Sequence, residues 1–380
     1  FGFFPSIAVG YNISNEKFWQ PIKPVISNLK IRGSWGLVGN DATNAGRFAY
    51  MEDLVLGGSD SYTTGIRQDT YYSGPSWNRY FNPDLTWEVG EKINLGLDLQ
   101  LFNDFNLTFD IFREKRRDIF MTRENSIPEI VGTGETKITS NNGEMENKGL
   151  DLAIDYNKQI TKDFFLSFKS TLTFARNKVL KMDEPPYFEY PGLSDVGHPL
   201  GTYWGYVADG LFPDQETIDN SPRQDLGYTP QPGDIKYVNQ PNAKGEYDNV
   251  INSNDRVAIG HPYDPELVYG FGPSMKWKNW DFSFFFQGVA RTSFMMYGMH
   301  PFGTTSIKNM LQFVADDHWS VDNPNPNAAY PRLTKDSNGN NDQYSTYWLR
   351  NAAFLKLKNA EIGYTYKGCL SYTSPSPRDS

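Results

Sequence analysis

Long stretches of strict apolar–polar alternation, joined alternately by very short and very long connections, constrain this chain more than any other feature. Residues 105–111 read FNLTFDI, with Phe105, Leu107, Phe109 and Ile111 on one side and Asn106, Thr108 and Asp110 on the other. Period two marks a strand with two unlike faces. The pattern recurs at 85–102, where Trp87, Val89, Ile93, Leu95, Leu97 and Leu99 oppose Glu88, Lys92, Asn94, Asp98 and Gln100. At 149–156 Leu150, Leu152, Ile154 and Tyr156 oppose Asp151 and Asp155. At 164–179 Phe164, Leu166, Phe168, Leu172 and Phe174 oppose Ser167, Lys169, Thr171 and Thr173. Further strands are expected at 6–13, 29–38, 267–277, 280–290 and 352–367, and only 14–22 could hold a short helix.

The connections decide what the two faces look at. Those after the third, fifth and seventh strands are short (NDF, NKQITKD and KN). Those after the second, fourth, sixth and eighth span approximately 39–84, 122–142, 180–266 and 291–351. Loops longer than about a dozen residues are uncommon in compact soluble domains. Tight turns alternating with long loops is the plan of an up-and-down outer-membrane barrel. Several strands also reach ten residues, about what a tilted strand needs to cross a bilayer. Trp87, Phe102, Phe120, Trp277, Trp280 and Tyr366 stand near strand ends, as interfacial girdles do. The fold expected is therefore all-β: a partial antiparallel transmembrane barrel, apolar side chains toward lipid and polar ones toward the bore. A soluble or surface-attached β-sandwich, for instance a carbohydrate-binding module, alternates in the same way; its weakness is loops in which no folded content is legible.

Composition agrees. The chain has 380 residues, with 36 Lys+Arg against 45 Asp+Glu and a net charge of −9, which argues against nucleic acid as a partner. Aromatics make up 15% of the residues, and no apolar run is long enough for a membrane helix. The opening FGFFPSIAVGYNIS lacks a signal-peptide layout and reads as mid-strand, as in a fragment. The close, GCLSYTSPSPRDS, holds the only cysteine, Cys369, and loses all periodicity. It resembles translated read-through of a sequencing adapter, so 369–380 is expected to be non-native and 1–368 to be barrel.

Several ordered blocks resemble the C-terminal half of SusC/RagA-type TonB-dependent outer-membrane transporters of Bacteroidetes. They include LKIRGSWGLVGN (29–40), LTWEVGEKINLGLDLQLF (85–102), NNGEMENKGLDLAIDY (141–156), GTYWGYVADGLF (201–212), DRVAIGHPYDPELVYGFG (255–272) and YWLRNAAFLKLKNAEIGYT (347–365). The resemblance implies a plugged barrel of the twenty-two-stranded class. It also implies import of oligosaccharides or peptides, a SusD-like lipoprotein lid and energy from the TonB–ExbB–ExbD complex. Set against that pattern, about nine strands are expected here, without the plug, the N-terminal strands, the TonB box or the last strands. Outer-membrane lipid is the remaining partner, and no enzymatic activity is implied.

Candidate site residues are few. His198, His261, His300 and His318 fall in or beside long loops without metal-ligand or triad spacing, and GFGPSM (270–275) lacks the third glycine of a phosphate loop. In NQPNAKGEYDNVINSNDR (239–256), Asp248, Asn252, Asn254 and Asp255 offer hard oxygens suited to calcium, although the regular EF-hand spacing is broken. No other cofactor is expected. Trp77, Tyr203, Trp204, Trp319 and Tyr330 are candidate substrate-stacking aromatics. For Tyr203 and Trp204 a structural return of the chain is the competing reading.

Overall fold

Nine strands hydrogen-bond in sequence order into one antiparallel sheet. In the computed structural model the described residues are 2–42, 48–57, 61–123, 125–131, 138–296, 311–334 and 338–366. The wall strands are β1 (Ser6–Asn12), β2 (Ile26–Asn40), β3 (Glu88–Leu101), β4 (Phe105–Arg123) and β5 (Ile138–Thr161). They continue as β6 (Phe164–Lys181), β7 (Leu267–Trp277), β8 (Trp280–Ala290) and β9 (Phe354–Tyr364). Each pairs with its sequence neighbour, so the wall is a simple meander. Short connections close it at one end. The β3–β4 turn places Phe102 and Asn103 at positive φ, and Lys278 does the same between β7 and β8.

Register converts the alternation into continuous rungs. Ile31, Leu97, Phe109, Leu152, Leu172 and Tyr269 stand side by side across six strands. One residue over, Lys30, Asp98, Thr108 and Ala153 line the opposite face. A one-residue slip of any strand would send its apolar set to the wrong side, which fixes the register strongly. The apolar face is bare: Val9 is 66% exposed and Leu95 61%. Among the described residues no second large sheet covers it, since the other sheets are two-stranded pieces. The sandwich expectation fails on this point, because a sandwich must bury its apolar face against a partner sheet.

The molecule's own apolar core lies instead in the long connections. Described parts of the stretches 203–259 and 293–349 pack together around Tyr206, Ile235, Tyr237, Ile251, Val314 and Trp348. The two-stranded pieces Tyr203–Gly205 with Val257–Ile259, Ala208–Leu211 with Ile235–Tyr237, and Ser293–Met295 with Leu349–Asn351 frame it. The loops thus form a folded cap at the end of the wall opposite the tight turns, contrary to the sequence reading that found no folded content there. The residues from 122 to 142 also differ from expectation. The β4–β5 ladder runs on to Arg123 and Ile138, so both ends of this segment are strand rather than loop. In place of one short helix at 14–22 there are two 3-10 turns, Ile13–Asn15 and Lys17–Trp19. The closing tail and Cys369 lie outside the described residues.

Candidate functional site

The polar face of the wall carries an ion cluster built by register. Arg32 on β2, Gly96 on β3 and Asp110 on β4 share one rung, with Asp98 two residues further along β3. Arg32 donates from Nε and Nη2 to both oxygens of Asp98 at 3.0 Å, and from Nη2 to Asp110 Oδ2 at 2.9 Å. The planar guanidinium suits such forked recognition. The glycine makes room: a Cβ at Gly96 would stand 2.5 Å from Asp110 Oδ1 and 2.7 Å from Arg32 Cζ. Further up the same face Glu88 is buried, accepting from Asn40 Nδ2 at 2.9 Å and from the Phe120 amide at 3.2 Å. Asp151 accepts from the Thr173 hydroxyl at 2.7 Å, and Lys169 reaches Asp155 at 4.0 Å. Ion-paired, hydroxyl-rich surface on this side and bare hydrocarbon on the other is the division expected of a bore and a bilayer.

In the cap, Asp234 is fully buried and its Oδ1 accepts from Arg332 Nε at 2.7 Å, Asn338 Nδ2 at 3.0 Å and Asn341 Nδ2 at 2.9 Å. Asn341 Oδ1 takes the Ile235 amide at 2.9 Å, and Asn340 Nδ2 donates to the Ile235 carbonyl at 2.9 Å. This polar knot pins the segment after 338 onto the strand at 235–237. Its asparagines come from SNGNNDQYS, which in the sequence reads only as a polar loop. Burial also raises the Tyr237 and Tyr347 hydroxyls well above their usual range, keeping both neutral.

The five aromatic candidates are not brought together. Trp319 and Tyr330 are buried, Trp319 against Gly233 and Tyr330 beside Trp348 with ring centroids 6.3 Å apart. A Cβ at Gly233 would fall 2.2 Å from the Trp319 ring. Contrary to the expectation of substrate stacking, the faces of these two are taken by packing in the core. Tyr203 and Trp204 lie in the strand Tyr203–Gly205, half-buried, with Trp204 Nε1 donating to Asp195 Oδ1 at 2.6 Å and its ring edge-on to His198. Trp77 belongs to a separate hairpin, Asp53–Val55 with Ser76–Arg79, where it is 38% exposed and stacked on Tyr80.

Three of the four residues proposed for calcium, Asp248, Asn252 and Asp255, accept hydrogen bonds from the chain itself. Asp255 is buried and accepts from the amides of Gln240 and Asn252 at 2.7 and 2.8 Å. Asn252 takes the Asn254 amide, and Asp248 takes the Val250 amide. The result is a capping box over Ser253–Asp255 rather than a convergent ligand set. Burial raises the Asp255 carboxyl above its ordinary range, with the two amides pulling the other way. Among the described residues no three His, Cys, Asp or Glu side chains cluster in a way that could hold a metal. His300 lies outside those residues.

Comparison with known proteins places these features. The family described as TonB dependent receptor-like, beta-barrel matches residues 1–202. The chain is 28% identical over 381 residues to the TonB-dependent receptor SusC of Bacteroides thetaiotaomicron, covering 96% of this chain and 34% of that protein. It is likewise 28% identical over 376 residues to the TonB-dependent receptor P26 of Formosa agariphila, covering 95% and 35%. It therefore spans about a third of the length of the curated relatives it matches. The fold follows the RagAB peptide importer in its open-open state, with a TM-score of 0.70 at 21% identity over 95% of this chain and 36% of that one. With its bare apolar face, its ion-paired opposite face and its family match from residue 1 to 202, the chain belongs to the TonB-dependent receptor β-barrel family of the outer membrane.

Proposed function

We propose that this chain supplies wall strands and the extracellular cap of a SusC/RagA-type transporter that imports oligosaccharides or peptides, driven by the TonB–ExbB–ExbD complex. A SusD-like lipoprotein partners it at the cap. The observation that carries the reading is one nine-stranded meander with hydrocarbon bare on one face and the Arg32–Asp98–Asp110 cluster on the other. A wall of that kind separates lipid from an aqueous bore. The likeness to a receptor named SusC supports the transport role, and the fold shared with a named peptide importer supports a bulky polar cargo. The separate two-stranded piece that presents Trp77, stacked on Tyr80, is the place for cargo contact, with Tyr203 and Trp204 in the cap as a second edge. Flat aromatic faces suit pyranose rings and peptide side chains alike.

Deletion of the gene, complemented by the intact receptor, tests the reading. Uptake of a labelled oligosaccharide pool and of a labelled peptide pool is followed with and without a protonophore. Loss of one class on deletion, restored by complementation and abolished by the protonophore, is expected; unchanged uptake of both would sink it. Trp77→Ala is expected to raise the concentration for half-maximal uptake while leaving receptor abundance unchanged.

A further inference from the structure

The lipid-facing side of the wall changes character within one step of register. Leu95, Ile111, Leu150, Phe174 and Leu267 form its last wholly apolar rung. The next rung on the same face holds Trp35, Ile93, Arg113, Lys148 and Arg176, and the one beyond it Leu37, Glu91, Lys115, Glu146 and Lys178. This is the loop end of the wall, which in an outer-membrane barrel faces outward from the cell. At the turn end, Phe164, Trp277, Trp280 and Tyr364 make an aromatic rung. From Phe164 to Arg176 a tilted strand rises roughly 30 Å, close to the height of a barrel's apolar band plus its interface. Arg176 therefore stands at the headgroup level of the outer leaflet.

The cations there are positioned rather than neutralised. Glu266, whose side chain is 4% exposed, holds Arg176 Nε at 3.1 Å and Arg291 Nε at 2.7 Å. Glu146 holds Arg113 at 2.6 Å and Lys148 at 2.7 Å. Each carboxylate thus serves two cations, leaving a surplus of positive charge. A groove of about 680 Å3 runs between Ile111, Leu150 and Phe174 on its apolar side and Lys148, Arg176 and Lys178, with the paired carboxylate of Glu146, on its charged side. Its apolar side is continuous with the bilayer-facing rungs, and it lies on the opposite face of the wall from the bore, out of reach of cargo.

We propose that this groove binds an anionic acylated lipid of the outer leaflet, an acyl chain lying on Ile111, Leu150 and Phe174 and a phosphate held by Lys148, Arg176 and Lys178. Anionic headgroups are drawn to such clusters, and a lipid phosphate adds the counter-charge that one carboxylate shared between two cations leaves incomplete. The inference is independent of what the transporter imports.

The test uses the intact receptor in neutral detergent, with native mass spectrometry reading retained lipid. The probes are diphosphorylated lipid A, its fully dephosphorylated form, and inorganic phosphate as competitor. Wild type is expected to retain the phosphorylated lipid over the dephosphorylated one. Lys148→Gln combined with Arg176→Gln should weaken that retention roughly tenfold or more. Lys148→Arg with Arg176→Lys should restore it, and Lys92→Gln on the bore face should leave it unchanged. Unchanged heat-modifiable mobility confirms that each variant is folded; if the double Gln variant is not, the wild-type preference between the two lipids still decides. Equal retention of both lipids by wild type overturns the proposal, as does retention untouched in the folded double Gln variant. Displacement by millimolar inorganic phosphate alone also overturns it, marking a soluble-phosphate site instead.

Discussion

Arg332 donates from Nε to Asp234 Oδ1 at 2.7 Å, joining two loop segments 98 residues apart in a site where Asp234 is wholly buried. Asp234→Ala would strand Arg332, Asn338 and Asn341 without their shared acceptor, and breaking a buried charge pair from one side costs about 3–5 kcal/mol. The loss should fall on the cap alone. Hydrogen exchange in the intact receptor is expected to speed up across 224–237 and 338–348 while β3–β6 stay protected. Equal acceleration in the wall strands would refute the separation of cap from wall.

Gly96 admits the Arg32 side chain between Asp98 and Asp110, so Gly96→Ala should displace it. Forcing a methyl into a filled space costs about 1–3 kcal/mol. The temperature at which the receptor loses its heat-modifiable band on gels should fall accordingly, and Arg32→Gly in the same chain should recover part of the loss by vacating the contact.

The two faces can be told apart chemically. Cysteines carrying a fluorophore at Leu107 or Phe109 should be quenched by lipid-soluble quenchers, and those at Asn106 or Thr108 shielded. Phe109→Arg places a charge in hydrocarbon at a cost of about 2–4 kcal/mol near mid-bilayer, whereas Thr108→Arg on the bore face should be tolerated. The reverse pattern would invert the wall.

At 248–255 Asp248, Asn252 and Asp255 already accept backbone amides of the chain. Terbium luminescence of the intact receptor is therefore expected not to depend on Asp248→Ala; a dependent signal would mean that an ion replaces the capping box. The same cap has a pH signature. Because burial raises the Asp255 carboxyl, the folded state holds that proton more tightly than the unfolded chain does. Its charge opposes folding at pH values above both pKa values, and the opposition fades as pH falls through the raised one. Hydrogen exchange across 250–259 should slow, relative to Asp255→Asn, on moving from neutral toward mildly acidic pH.

The wall was legible because one rule, period two, governs it from Ser6 to Tyr364, and a shift of one residue would be costly at every rung. The same rule assigned Asp98, Asp110 and Asp151 to the polar face. It could not say that Asp98 and Asp110 share Arg32, which depends on cross-strand register set by turn lengths. The cap escaped because its strands run to two to four residues and its core is assembled from Tyr206, Ile235, Val314 and Trp348, far apart in sequence and without local periodicity. For the same reason Trp319 and Tyr330 read as exposed loop aromatics when they are core. Asn338, Asn340 and Asn341 gave no signal either, since buried and solvated asparagine runs look alike until their partners are known.

With its apolar residues gathered in the cap and left bare along the ladder, this protein answers to two solvents at once. Chaotropes that compete for water-side packing should dissolve the outer part first, leaving a lipid-held palisade of strands with its ladder bonds intact. Heating in native membranes should accordingly produce two transitions, and stripping the bilayer should merge them by removing the later one.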